Sequence, residues 1–306
     1  MRLSDALTEY QYAILARSPQ TQRWYIQKLQ AFLAWCAGQG VQELEALSTG
    51  HIRKYLAILA STKSERTKNP LSTYTVHGYA QVIKGWLSWC EAEGLTERSA
   101  ADRVDMPDVE EKVIQTFTPT QVKALFAASN HAPTPQLSAR DRAILAVLFD
   151  TGIRASELCG LTLDCVHLTP QEAYLKVLGK GRKEREVGLG QEARRDLARY
   201  LTRYRHAPPG DQHIFLSHYG EPLTRDALIR LFYRLRDTAH IKGVRCSPHT
   251  ARHTYAVRYL EAGGDIYKLS RLLGHTSVKT TEIYLKAYQA KEARKGGLSV
   301  LDLLGR

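Results

Sequence analysis

From Ser4 to Glu93 the apolar residues recur every three or four positions, as in Trp24, Leu29, Phe32, Leu33 and Cys36, the spacing of helices with one buried face. Ser18 before that run and Gly38 and Gly40 after it are start and stop signals. The pattern predicts helices over 4–16, 20–38, 49–61 and 72–92, with the polar loop STKSERTKNP before the last. Four such helices pack as a small bundle, with Trp24, Trp35, Trp86 and Trp89 in its core and rim. Base stacking is the other reading for an exposed tryptophan.

Residues 101–116, ADRVDMPDVEEKVIQT, hold two basic and five acidic side chains, one proline and almost no apolar periodicity, which predicts an inter-domain linker. After Thr118 the pattern turns mixed. Helices are expected at 119–128, 139–150, 155–160, 190–205, 224–240, 250–262, 265–273 and 277–288, and AYLKVL and KEREVGL flank a Gly-Lys-Gly turn as two strands. The expected fold is mainly α with a small antiparallel β-sheet. It divides into an N-terminal helical domain (1–100), a linker (101–116) and a second domain (117–306).

A chain of 306 residues fits two domains, since single cores stop growing at ~250–300 residues. With 43% apolar and 24% charged residues, neither a disordered nor a fibrous protein is in view. The net charge is +12. Residues 1–116 carry 13 basic and 13 acidic side chains and residues 117–306 carry 30 and 18, so the whole excess lies in the second part. That points to a polyanionic partner held there, with a solvated basic surface as the plain alternative. Five cysteines without a Cys-x-x-Cys support no disulfide framework or zinc finger and read as buried thiols in a reducing compartment. No signal sequence or membrane-length apolar run is visible, so the expected location is cytoplasmic.

Four short stretches carry candidate chemistry. In FDTGIRASELCGL, Gly152 suits a helix C-terminal cap, and the turn after it aims Arg154 away from the core. A guanidinium fork matches phosphate oxygens, and an ion pair with Glu157 is the structural alternative. Lys180 sits at the tip of a glycine-flanked hairpin, where it reaches a ligand or is merely solvated, with Arg182, Lys183 and Arg185 as a basic cluster beside it. In SPHTARH, His249 and Arg252 share a helix face. A metal on His249 and His253 lacks the glutamate of His-Glu-x-x-His, so His253 reads as a packing histidine. In LLGHTSVKTTEIYLKAY, His275 precedes Tyr284 by nine residues; Tyr284 is expected near a helix C-terminal half, with Tyr288 as its rival.

In this order the motifs TGIRASEL, LGKGRKE, HTAR, LLGH and TTEIY resemble those of the tyrosine site-specific recombinases, the phage integrase family, among them the compact Xer-like and transposon-associated members. The resemblance covers nearly the whole chain and departs at none of six positions. It implies a four-helix SAM-like core-binding domain and an α+β catalytic domain that clamp a duplex. It implies an active site of Arg154, Lys180, His249, Arg252, His275 and Tyr284. Tyr284 would form a 3′-phosphotyrosyl bond, Arg154 and Arg252 would hold the phosphate, His275 would add a hydrogen bond and Lys180 would protonate the 5′-oxygen. His249 is expected to take the tyrosine proton, since imidazole exchanges protons near neutral pH.

The phosphotyrosine bond keeps the energy of the broken linkage, so neither ATP nor a metal or other cofactor is expected. There is no Gly-x-x-x-x-Gly-Lys-Ser/Thr loop or carboxylate cluster. Expected partners are a double-stranded recombination site and further protomers, as a homo-tetramer on two duplexes or a hetero-tetramer with a second recombinase, at the nucleoid. The apolar tail 297–306 would be exchanged between protomers. Arg23, Lys28 and Lys84, with Arg182 and Lys183, are the expected DNA contacts, and Arg195, Arg199 and Arg203 form a basic stripe that also suits an ordinary surface helix. There are two rival functions: type IB topoisomerase relaxation, which uses the same nucleophile chemistry, and architectural DNA binding that retains the fold without cutting.

Overall fold

The computed structural model describes residues 1–64, 68–110, 114–179 and 183–295, and the chain divides into two compact units, Met1–Lys112 and Val113–Arg306. The first unit consists of α1 (Leu3–Ala13), α2 (Pro19–Gly38), α3 (Thr49–Ser61) and α4 (Thr73–Ala92). Hydroxyls set three of the starts: Ser18, Ser48 and Ser72 accept hydrogen bonds from the amides of Thr21, His51 and Thr75 at 3.2–3.3 Å. The apolar stripes meet in a core that includes Leu29, Phe32, Ile52, Ile83 and Trp86. Trp86 is fully buried, Trp35 and Trp89 pack beside the core, and Trp24 stays 40% exposed.

The segment expected as a linker begins inside this unit. Ala101 and Val104 are buried in its core, Lys84 donates to their carbonyls at 2.9 and 2.5 Å, and His77 Nδ1 donates to the Pro107 carbonyl at 2.8 Å. Its acidic composition concealed how many of its backbone groups find partners on α4.

The second unit holds α5 (Pro119–Ser129), α6 (Pro135–Thr151), α7 (Ala155–Cys159), β1 (Val166–Leu168), β2 (Ala173–Leu178), β3 (Glu184–Gly188), α8 (Gln191–Arg203), α9 (Arg225–Thr238), α10 (Pro248–Glu261), α11 (Ile266–Leu273) and α12 (Glu282–Lys295). The sheet is antiparallel in the order β1-β2-β3, with Leu175 opposite both Val166 and Val187. Two strands were expected; β1, at three residues, is too short to show alternation. Leu175, Val177 and Val187 face the core and Lys176 faces out.

Helix α6 is the unit's axis. Ile144, Leu145, Val147 and Leu148 are completely buried, and α6 packs against α5, α8 and α10. Each such side chain contributes about 1.5–3 kcal/mol of burial. Asp141, also fully buried on α6, binds Arg140 and Arg234, which ties α6 to α9. Two helices end in left-handed glycines: Gly152 (φ 62°) closes α6 and Gly274 (φ 63°) closes α11. Arg154 follows two residues after the first, and His275 directly after the second.

A Cβ on Gly152 would lie 2.3 Å from Tyr255 Cδ1 and 3.0 Å from Leu273 Cδ2, whereas one on Gly40 (φ 79°) would meet nothing within 4 Å. Gly40→Ala is therefore expected to cost about 1–2 kcal/mol for backbone conformation alone, and Gly152→Ala at least about 2 kcal/mol more. Denaturant unfolding of the two variants checks this, and equal losses would contradict the packing described at Gly152.

Candidate active site

Helix α11 is only eight residues long, and its last carbonyls have no helical partners. Three guanidinium groups take them in succession. Arg185 donates from Nε to the Leu272 oxygen at 2.7 Å, Arg252 from Nη2 to that of Leu273 at 2.8 Å, and Arg154 from Nη2 to that of Gly274 at 2.8 Å. The negative end of the helix dipole favours cations at this point. The three side chains arrive from β3, α10 and the start of α7, so the carbonyl row gathers residues 31 to 98 positions apart in sequence.

Glu157, with its side chain 4% exposed, lies between two of these arginines. Its Oε1 accepts from Arg154 Nη1 (2.8 Å) and Arg185 Nη1 (3.0 Å), and its Oε2 accepts from the Arg154 amide and Arg185 Nη2 (both 2.8 Å). Burial pushes the Glu157 carboxyl up, but the hydrogen bonds and charges of Arg185 and Arg154 outweigh it and the net shift is downward. The ion pair offered as the alternative role of Arg154 thus exists and orients the guanidinium. Arg185 was expected among the hairpin's phosphate contacts; it is mostly buried and serves Glu157 and Leu272 instead.

Arg252, 4% exposed, also donates from Nη1 to the Gly152 oxygen at 2.7 Å and from Nη2 to His275 Nε2 at 2.9 Å. With Nε2 accepting, His275 carries its proton on Nδ1 and donates to Thr281 Oγ1 at 2.8 Å. Burial, then the charges of Arg252, Arg154 and Arg185, lower His275 to about 4. Burial and the Arg154 charge lower Arg252 to about 10, which leaves it charged at neutral pH. Arg154 spends two of its five N–H donors on Glu157 and Gly274, while Arg252 spends three on Gly152, Leu273 and His275 and also reaches the Tyr284 hydroxyl. The remaining donors suit an oxyanion.

Tyr284 lies in the first turn of α12, not near a helix C-terminal half: the 3₁₀ turn Val278–Thr280 comes first, and the helix starts only at Glu282. Its ring is 2% exposed and stacks parallel to His275, with centroids 6.3 Å apart. Burial raises its phenol, and the charges of Arg252 and Arg154 work against that rise. The phenol oxygen is 3.1 Å from Nδ1 of His253, the residue expected to be a packing histidine. His249 is exposed, its ring 6.5 Å from that of His253, with no hydrogen bond to Tyr284. Tyr288, the rival, packs partly buried beside the Ala256 and Leu260 cluster.

Arg154, Arg252, His275 and Tyr284 therefore meet, with His249 at the edge, while Lys180 and Arg182 lie outside the described residues. Lys183 is exposed after the turn. In the first unit Arg23 is exposed, Lys84 is committed to the Ala101 and Val104 carbonyls, and Lys28 points over the rings of Trp24 (4.9 Å) and Tyr79 (4.1 Å), where burial lowers its pKa. These last two are poor candidates for phosphate contact, because a lysine on an aromatic bundle finds π faces and carbonyls before it reaches solvent. On α8, Arg195 pairs with Glu192 and Arg199 lies over Tyr204, as on an ordinary surface helix. Among the described residues no three metal-ligating side chains converge and no helix is long and apolar enough to cross a membrane.

The model of the phage integrase family matches residues 115–291. The chain is 34% identical over 277 residues to the tyrosine recombinase XerD of Pseudomonas aeruginosa, across 89% of this chain and 88% of that one. It is 30% identical over 283 residues to XerC of Pseudomonas fluorescens, across 92% and 90%. Similar solved structures include the XerH recombinase bound to a palindromic difH substrate (TM-score 0.76, 17% identity, 95% and 83% coverage). Another is a lambda integrase dimer on a COC′ core site (0.72, 18%, 92% and 97%). A family match over more than half the chain, with relatives aligned nearly end to end, places the chain in the phage integrase family as an Xer-like tyrosine recombinase.

Proposed function

We propose that this protein cuts and rejoins DNA at specific sites, with Tyr284 as the nucleophile that forms a covalent 3′-phosphotyrosyl intermediate. One observation carries the reading: two charged guanidinium groups, an imidazole and a buried phenol are joined within one cluster, although they are spread over residues 154–284. A phosphodiester repels nucleophiles because it is anionic, and preorganised positive charge is the remedy. Arg154 and Arg252 hold the two non-bridging oxygens, and His275 turns its Nε2 from Arg252 to the phosphate. The hydroxyl of Thr281, which both donates and accepts, suits either tautomer of that ring. Lys180 protonates the departing 5′-oxygen. A 5′-hydroxyl of a second strand then attacks the phosphotyrosine and rejoins the backbone without ATP.

Residues 1–100 make up the core-binding domain, residues 101–116, which begin packed on α4, lead on to the catalytic domain, and residues 117–306 supply the chemistry. The basic excess of the second part, 30 against 18, matches a duplex held there. Two catalytic domains per duplex and two duplexes make a tetramer, linked by exchange of the tail 297–306, which lies outside the described residues. The reaction takes place at the nucleoid in the cytoplasm. Relatives that are recombinases along 88% and 90% of their lengths favour strand exchange over the relaxation of a topoisomerase.

The test uses a nicked duplex carrying a site recovered by binding selection, with protein–DNA adducts resolved on a denaturing gel. Tyr284→Phe is expected to lose the adduct by at least about 10⁴-fold and keep binding, whereas Tyr288→Phe keeps both. The opposite pattern would overturn the nucleophile. Glu157→Gln leaves Arg154 and Arg185 facing each other without a carboxylate. It is expected to destabilise the protein by about 3–5 kcal/mol in denaturant and to slow adduct formation at least about 100-fold. A variant as stable and as fast as the parent would show that the ion pairs do not set the arginines.

A further inference from the structure

We propose that His253, not His249, is the catalytic residue that accepts the proton of the Tyr284 hydroxyl as it attacks phosphorus. The inference rests on the reading of Tyr284 as nucleophile and deepens it.

Three imidazoles lie in or at the edge of the site, and geometry separates them. Both nitrogens of His275 are engaged, Nε2 by Arg252 at 2.9 Å and Nδ1 by Thr281 at 2.8 Å, and its ring lies parallel to that of Tyr284 at 8°. That stacking turns its face, not a lone pair, toward the tyrosine. His249 is exposed on the turn of α10 before His253 and makes no hydrogen bond with Tyr284. Of the three imidazoles His253 is the one hydrogen-bonded to the phenol: Nδ1 is 3.1 Å from Oη, with the rings tilted at 53°, and Arg252 is the phenol's other side-chain partner. It is held there by the packing of α10 on α12, through Ala256, Val257 and Leu260 around Tyr284. The arrangement couples the nucleophile to the phosphate site, because His253 directly follows Arg252 on α10.

The electrostatics agree. Burial, then His249 and Arg252, lower His253 to about 4, so its ring is neutral at pH 7 with a lone pair available to the phenol. An anionic phosphate beside Arg252 offsets the arginine's charge and makes the imidazolium easier to form. In the step itself the Oη–P bond forms as the P–O5′ bond breaks. The phenolic proton passes to Nδ1, and the 5′-oxygen takes a proton from the leaving-group acid. On rejoining, the incoming 5′-hydroxyl gives its proton back to the deprotonated leaving-group acid as the P–O5′ bond forms, the P–Oη bond breaks, and the imidazolium returns its proton to the tyrosine.

The test is adduct formation by the full chain on two nicked duplexes with the selected site, one with an ordinary scissile phosphodiester and one with a 5′-bridging phosphorothiolate. The thiolate leaves without needing a proton, so only the nucleophile side remains to be catalysed. His253→Ala is expected to slow the adduct at least about 100-fold on both duplexes while binding stays at the parental level. His253→Asn, which places an amide where Nδ1 stood and guards against a merely unfolded alanine variant, is expected to stay slow on both. Parental or faster cleavage by His253→Ala would overturn the proposal, and so would a defect that the phosphorothiolate cures. Full recovery in His253→Asn would likewise overturn it, by reducing His253 to a residue that orients the phenol. An adduct formed by Tyr284→Phe would instead sink the nucleophile reading on which the proposal rests.

Discussion

Three successive carbonyls at the end of an eight-residue helix hold the site together. Leu272, Leu273 and Gly274 each accept from a different arginine, and these arginines come from three separate elements. A short helix cannot satisfy its own last carbonyls, and a guanidinium with five donors fills one and still has others to offer. The left-handed glycine at 274 makes this possible. A Cβ there would sit 2.8 Å from Arg185 Nη1, so only glycine lets the arginine lie against the backbone.

Three guanidinium groups so close repel one another, and the structure counters this with one buried carboxylate and the dipole end of α11. The compensation is partial. Arg252 still loses some of its proton affinity through burial and the Arg154 charge, and His275 and His253 are held neutral. An electrostatic deficit of this kind suits an anion, because a phosphate supplies the missing negative charge and relieves repulsion already built into the fold. The nucleophile shares in it: burial keeps the phenol protonated, while the two arginines lower the cost of the phenolate.

Much of this was legible in the sequence because the signals are local. Helix starts at Ser18, Ser48 and Ser72 and the C-terminal cap at Gly152 depend on one residue and its neighbours. The convergence of Arg154, Arg252, His275 and Tyr284 followed from motif spacing and resemblance. What escaped notice depends on tertiary packing. Arg185 is one basic residue among four on a hairpin, and only the approach of β3 to α11 makes it a structural cation. His253 looks like a packing residue until α12 brings Tyr284 against it. The segment after residue 100 looks like a linker because its acidic side chains hide the backbone contacts it makes with Lys84 and His77.

The central claim is that one phenol, on the first turn of α12, faces the guanidinium cluster and becomes bonded to DNA. Proteolysis of the trapped adduct followed by mass spectrometry tests it most directly. The account predicts a single nucleotide-bearing peptide with the phosphodiester on Tyr284; modification of Tyr288, or of any residue outside that turn, would contradict it.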